Sequence, residues 1–463
     1  MKGPERVLVA LLLTGQMTGT LRAQQVPTGI DSTARSAATP SGLKPWTPGK
    51  PAVARTLVEI TFINAISAGI NTIARDIVSP SPHSWWQNIQ GGWSWDPNDI
   101  RVNHIEHPWA GSAYFNSARA NGLSFWGAAP MALTGSLMWE LFGEAKPPST
   151  NDLLSTTLGG VAIGEPLQRL SMIMLDEEST GLDRLWRELA VFITNPGLGL
   201  NRLSRGQSWS RRQNPPLHRP EAVRGGTAFG VREFRPSDGA TMGTPVLSFA
   251  LDYGDPFAKG SRGPFSWFSG SMELMTSSPD GLGTLRVRGM LSAFGDDGGV
   301  RERVGGIFMD FDYRRDGVVE FAEQSFGVGL MSRAALSGAL RLATDVSAEA
   351  VPILAVRDPY GKPLTGRRYD YGAGVGARAG AGLEYRGRRF LSVSGRAYWG
   401  PTLNGASESK LVQLANAEVR LPLRWSLSAG AGYQLYRQVS RYAERPNETQ
   451  RVGSLTVFLS SGY

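Results

Sequence analysis

The sequence predicts an α+β protein: an N-terminal helical module followed by a C-terminal antiparallel transmembrane β-barrel of about 12 strands, the even count such barrels prefer. Three observations carry that expectation. Before about Gly226, apolar residues recur at helical spacing or in long uncharged runs. After it, the period changes to two. The composition, with 57 Gly, 13 Trp and no Cys in 463 residues, suits short alternating strands rich in Gly and aromatics.

Residues 1–23 read as a secretory signal, with Lys2 and Arg6 before the apolar run Val7–Leu13 and cleavage expected after Ala23. The run is far shorter than the ~20 residues of a spanning helix. Residues 24–51, rich in Pro, Ser, Thr and Gly, read as a disordered tether. A helical module is expected over 52–202. Its first helix, Val53 to Val78, carries Leu57, Ile60, Ile63 with Asn64, Ile66 or Ser67, Ile70, Ile73 and Ile77 at helical period, and is expected to dock an apolar face on the helices that follow. Trp85, Trp86, Trp93 and Trp95 suit either an interfacial belt or an aromatic cluster capping the helices.

The stretch Asn103–Ser171 organises the module. Helices are expected from Trp109 to Ala120, from Leu123 to Phe142 with a kink at Pro130, and from Thr150 onward with a disturbance at Pro166. Ser149 and Asp152 stand at capping-box spacing. Ser136, Glu140 and Glu144 share one helical face, and two carboxylates so spaced call for a cation, a metal or open water. Asp152, Thr156, Gly160 and Gly164 share another, and the Gly face is expected against the second helix. Glu165 and Arg169 form a favourable i,i+4 pair. Leu123 to Trp139 is uncharged, contains Pro130 and is read as buried in protein. A further helix, Gly181 to Ile193, puts Leu182, Leu185, Trp186, Leu189 and Phe192 on one face. Residues 203–226 form a basic link, with Arg205, Arg211, Arg212, Arg219 and Arg224 against Glu221.

Residues 227–463 carry the dyads of a transmembrane barrel. Leu391, Val393, Gly395, Ala397 and Trp399 oppose Ser392, Ser394, Arg396 and Tyr398. Leu411, Ala415, Ala417, Val419 and Leu421 oppose Glu418 and Arg420, and a similar run starts at Trp425. The turns Asp296–Gly299, Asp316-Gly317, Arg386-Gly387 and Pro446-Asn447 punctuate the runs, and the chain ends on Tyr463.

The module also resembles a known family. Asn103, His107-Pro108, Gly111, Tyr114, Arg119, Gly122, Trp139-Glu140, Glu144, Pro148-Ser149, Asn151-Asp152, Gly159-Gly160, Gly164-Glu165 and Arg169 resemble the outer-membrane family called domain of unknown function (DUF) 3943. Asn195-Pro196 and Asn201-Arg202 resemble a later motif of it, so the family-like core is 103–202. The resemblance implies a helical part before a β-rich outer-membrane part, and no activity.

The inventory limits the chemistry. Without Cys there is neither disulfide nor thiolate chemistry. All four histidines (His83, His104, His107 and His218) precede the first barrel-like strand, so no Ser-His or Asp-His site lies on the strands. Catalytic candidates are Glu140, Glu144, Asp152, Arg119 and Arg169; a satisfied structural network is the plainer reading of them. His104 and His107, with Glu106 or Asp99, are weak metal candidates, and no cofactor is expected. The net charge of +8 is spread through the β-rich half, which points away from nucleic acid and toward outer-membrane lipid, a periplasmic protein or an envelope polymer. Three functions fit: a non-enzymatic outer-membrane barrel with the module as plug or periplasmic docking element; a membrane-embedded hydrolase or transferase acting through the module's acids; and a channel with an Arg-lined, anion-preferring lumen.

Overall fold

The computed structural model describes Leu43 and residues 49–74, 80–215, 222–237, 239–258, 263–295, 301–360, 366–423 and 426–462. The signal sequence, most of the tether, His218, Trp425, the Asp296–Gly299 turn and Tyr463 lie outside them.

The alternating half closes into an antiparallel barrel of twelve strands. In chain order these are β1 (Val223–Pro236), β2 (Met242–Tyr253), β3 (Phe268–Met275), β4 (Leu282–Phe294), β5 (Arg301–Arg315), β6 (Glu320–Ala335), β7 (Leu340–Arg357), β8 (Tyr369–Tyr385), β9 (Arg388–Asn404), β10 (Ser409–Pro422), β11 (Leu427–Arg441) and β12 (Glu448–Ser461). Each strand pairs with its neighbours in the chain, and β1 pairs with β12 from Thr227↔Ser461 to Pro236↔Val452. Closure leaves no strand edge unpaired, which a barrel in lipid requires because no water is there to satisfy the backbone. The first strand begins inside the stretch expected to be a basic link.

Contacts between strands far apart around the barrel identify its interior. Arg396 of β9 bonds Asp312 of β5. The rings of Phe321 (β6) and Tyr436 (β11) lie 6.3 Å apart. Such pairs meet only across the lumen. Because side chains alternate along a strand, Arg286, Arg288, Asp310, Asp312 and Arg396 point inward, while Phe229, Val231, Leu391, Val393 and Val457 point outward and are exposed. The outward sets expected from Leu391 and Leu411 are the observed ones. A closed barrel with an apolar outer surface and polar groups inside is the architecture of an outer-membrane barrel.

Barrel side chains project into the lumen. Toward the β5–β6 turn, Phe234, Phe321, Leu354, Val412, Leu414 and Tyr436 belong to one apolar cluster of nearly fully buried residues. Toward the opposite end the interior is polar, with a cavity of about 370 Å³ lined by Arg286, Arg288, Asp310, Arg378 and Arg396 among others.

The helical half forms α1 (Val53–Ala74), α2 (Pro82–Gln90), α3 (His107–Ala120), α4 (Phe125–Met138), α5 (Thr150–Leu154), α6 (Gly160–Met174), α7 (Gly181–Thr194) and α8 (Pro196–Ser204). Three π-turns interrupt them at Val102–Glu106, Trp139–Gly143 and Ser155–Gly159. The disturbance expected at Pro166 lies instead at Ser155–Gly159, and Pro166 sits within α6.

The module packs on the outside of the barrel. Ile100, Phe115, Phe125 and Val161 share one buried cluster with Val287, Met309, Phe311 and Tyr313. Those strand residues alternate with the inward Arg286, Arg288, Asp310 and Asp312, so they belong to the outer wall. Contacts run over the height of the wall. At one end Arg169 donates to the Pro264 carbonyl at 2.9 Å. At the other, Asn103 donates to the Tyr369 hydroxyl at 3.0 Å, and Arg315 pairs with Asp99 at 2.8 Å. Barrel side chains project into the interior, and the helices lie against the outer wall.

Two helices leave much of their apolar surface exposed, although α1 docks Ile60 and Ile63 on the following helices as expected. In α1, Ile60 and Ile63 are buried with the polar Thr56 and Asn64, while Leu57, Phe62, Ile66, Ile70 and Ile73 are exposed. In α7, Leu182, Leu185, Trp186 and Leu189 are exposed, while Arg184 is buried. Both helices satisfy polar groups inward: Asn64 donates to the Gly135 carbonyl, and Arg184 reaches Glu177 and the Gln207 carbonyl. A polar group left unbonded away from water costs more than an exposed methyl, so hydrogen bonding outranked apolar burial.

Candidate functional site

A short bridge pairs Ser94 with Ser149, through Thr150 N–H to the Ser94 carbonyl (2.9 Å) and Ser94 N–H to the Pro148 carbonyl (2.8 Å). It brings the segment before α3 against the start of α5. Asp96 N–H then donates to Asn151 Oδ1 at 2.8 Å. Ser149 caps α5 by accepting from Asp152 N–H. The reciprocal half of the box is made differently from the sequence reading: Ser149 N–H donates to Glu140 Oε2 at 2.7 Å, not to Asp152.

Around this bridge lies a buried polar cluster. Asp152 Oδ1 accepts from Asn151 Nδ2 at 2.8 Å, and its Oδ2 lies 3.8 Å from His107 Nε2. His107 Nδ1 is 3.1 Å from Thr156 Oγ1. The barrel roofs the cluster: Asn151 Nδ2 donates to the Tyr371 hydroxyl at 3.2 Å, and Arg367 donates to the Asp96 carbonyl at 3.0 Å. Burial, then the nearby Asp152 and Glu144 charges, push the Glu140 carboxyl up to about 9. Asp152 is raised well above the carboxylate range by burial and by Asp96. Burial, with His107 nearby, pulls His104 down to about 3.

Not all candidates share this site. Glu140 and Asp152 are in it. Glu144 is beside it, accepting from Trp139 Nε1 at 2.8 Å. Arg119 and Arg169 are at the other end of the helices, where both clamp Glu165, at 2.8 and 3.0 Å. α3 separates the two groups by about 20 Å at 1.5 Å per residue. The five residues are thus two networks, one acidic and one ion-paired. The metal candidates divide as well. His104 packs on Tyr371 with its Nδ1 facing Ser155 Oγ at 3.4 Å. Glu106 pairs with Arg101, and Asp99 with Arg315. His107 instead meets Asp96 and Asp152. Asp96, Tyr369 and Tyr371 were missed, because nothing in their local sequence distinguishes them from other loop and strand residues.

The Gly face of α6 packs on α3, not on the second helix. A Cβ on Gly160 would meet the Gly111 backbone at 2.6 Å, and one on Gly164 would meet Phe115 at 2.9 Å. This parallel pairing carries His107 and Thr156 to the same end. There a groove of about 910 Å³ opens, with His107, Thr156, Glu144, Trp109, Trp139 and Lys146 in its lining.

Among curated proteins none matches the chain. Among solved structures, the NanC porin is 11% identical with a TM-score of 0.26, over 51% of this chain and 99% of that one. The KdgM porin is 8% identical with a TM-score of 0.22, over 51% and 99%. The channel DcaP of Acinetobacter baumannii is 9% identical with a TM-score of 0.24, over 52% and 96%. Residues 92–197, which hold the whole acid–histidine cluster, match the family model described as domain of unknown function (DUF3943).

Proposed function

We propose that this outer-membrane barrel is a scaffold, not a pore: it holds the helical module in the bilayer beside its outer wall, as a membrane-embedded docking element. The observation that carries the reading is the burial of outward strand residues, among them Phe311 and Tyr313, under helices. Helices seated on a lipid-facing wall share its surroundings. The exposed surface of the module agrees: Phe62, Ile66 and Ile70 of α1 and Trp126 and Leu133 of α4 present no charge, and α1 is long and apolar enough to cross a membrane. Lipid is then the module's first partner. The apolar layer within the lumen supports this reading over a channel.

Depth-resolved quenching tests this. The chain has no cysteine, so Phe62→Cys, Leu133→Cys and Asp183→Cys each give a unique site for a fluorophore. In phospholipid vesicles, brominated lipid is expected to quench labels at 62 and 133, and aqueous iodide the label at 183. Iodide quenching at all three, with none from lipid, would return the module to the periplasm.

A second reading, a lipid- or polymer-directed hydrolase or transferase, is favoured by one feature: His107 and Glu144 reach the groove while Glu140 and Asp152 are sealed behind them.

A further inference from the structure

We infer that Asp96, His107 and Asp152 form a binding site for one divalent first-row metal ion, at the inner end of the groove beside the barrel wall. One ligand atom from each residue lies within 4.8 Å of the other two. Some point therefore lies within about 2.8 Å of all three atoms, and small side-chain rotations reach the ~2.0–2.2 Å of a metal–nitrogen or metal–carboxylate bond. The three residues come from different elements: the bridged segment, the first turn of α3 and the first turn of α5.

The surrounding bonds hold the ligands as a metal site requires. His107 Nδ1 lies 3.1 Å from Thr156 Oγ1, and in the tautomer that donates Nδ1–H there, Nε2 presents its lone pair toward Asp152, as a metal ligand must. In that tautomer a cation between Nε2 and the Asp152 carboxylate, 3.8 Å apart, would join two facing lone pairs. Asp96 accepts from Asn98 N–H at 3.0 Å, and Asp152 from Asn151 Nδ2 at 2.8 Å, which fixes both carboxylates. Glu140 supplies an independent sign. Its Oε1 is buried without a hydrogen-bond partner, in the network that Ser149 ties to Asp152. Arg367, the cation nearest this bridge by hydrogen bond, donates to the Asp96 backbone carbonyl and not to a carboxylate. Asp96 and Asp152 thus face each other with no Lys or Arg side chain bonded to either carboxylate among the described contacts, and a bound divalent cation would stabilise both in ionised form.

One imidazole and two carboxylates suit Zn²⁺, Mn²⁺ or Fe²⁺ better than Ca²⁺ or Mg²⁺, which prefer all-oxygen shells. His107 and Thr156 border the groove, which brings solvent to one side of the site.

The test uses full-length protein, stripped with chelator, then dialysed against Zn²⁺ or Mn²⁺ and analysed for bound metal. One ion per chain is expected. Asp152→Asn should lower affinity by more than about 100-fold, and Thr156→Val, which removes only the bond that orients His107, by about 10-fold, judged from what outer-shell losses do elsewhere. Asp183→Asn, on the exposed face of α7, should bind as the parent does. Heat-modifiable gel mobility reports whether each variant is folded. Spin-echo modulation of the Mn²⁺ form of the unsubstituted protein should show nitrogen coupling from one imidazole, a reading independent of any variant's folding. Absence of stoichiometric metal, metal retained by folded Asp152→Asn, or a Mn²⁺ signal without nitrogen coupling would overturn the assignment.

Discussion

At the scale of single residues, the module is governed by the cost of burying polar groups. Glu165 is nearly inaccessible yet bonded by two arginines, while Glu140 keeps one oxygen unbonded. His104 is fully buried and held near pKa 3, below its ordinary 6.5. The folded state therefore takes up fewer protons at this site than the unfolded chain. The stability it contributes is present above pH 6.5 and is lost as the pH falls from there toward 3. The midpoint of heat-induced mobility change should drop between pH 6.5 and pH 4, and His104→Gln should flatten that part of the profile. An unchanged slope in the variant would mean that other groups drive the loss. The candidate residues themselves were legible as a set, because i,i+4 spacing puts them on shared faces. Their division into two networks was not, since spacing along a helix says nothing about which neighbour covers each end.

At the scale of elements, close backbone approach decides the packing of α3 on α6. Gly111 and Gly160 meet where neither can carry a Cβ without striking backbone. Gly160→Val should cost about 1–3 kcal/mol, as overpacking does, and loosen the module from the wall. Limited proteolysis of residues 80–215 should then be faster, with barrel mobility on gels retained. Gly69 in α1 is open: a Cβ there would have nothing within 4 Å. Gly69→Ala should be neutral or stabilising by up to about 1 kcal/mol. Equal effects at both positions would show that helix propensity, not contact, dominates. The small-residue stripe at Gly160 and Gly164 was visible in the sequence. Its partner was not, because α3 and α4 both offer small residues.

At the scale of the whole molecule, the barrel has two finished surfaces. Its interior holds an apolar cluster toward one end and ion pairs that cross the lumen, such as Arg396 with Asp312. Its exterior is split between exposed apolar residues and a patch covered by helices. Purified protein in planar bilayers should give no lasting conductance. The double variant Phe321→Ala, Tyr436→Ala removes two rings that meet across the lumen and should raise open-channel events. Steady anion-selective current through the unsubstituted protein would restore the channel reading.

The sequence by itself determined the architecture: a helical part, then strands of period two whose Arg, Asp and Glu face one way and whose Leu, Val and Phe face the other. A period is a local property, and each strand repeats it, so the signal accumulates. Only the tertiary structure decided where the helices go and what His107 meets. In α1, Leu57, Ile66 and Ile70 look core-seeking by hydrophobicity alone, yet they face outward. In the proposed lipid setting, apolar side chains are satisfied on either side, so hydropathy stops specifying an inside. Hydrogen-bonding groups such as Asn64, Asn103 and Asp152 then set the orientation, through partners that are distant in the chain and meet only when it is folded.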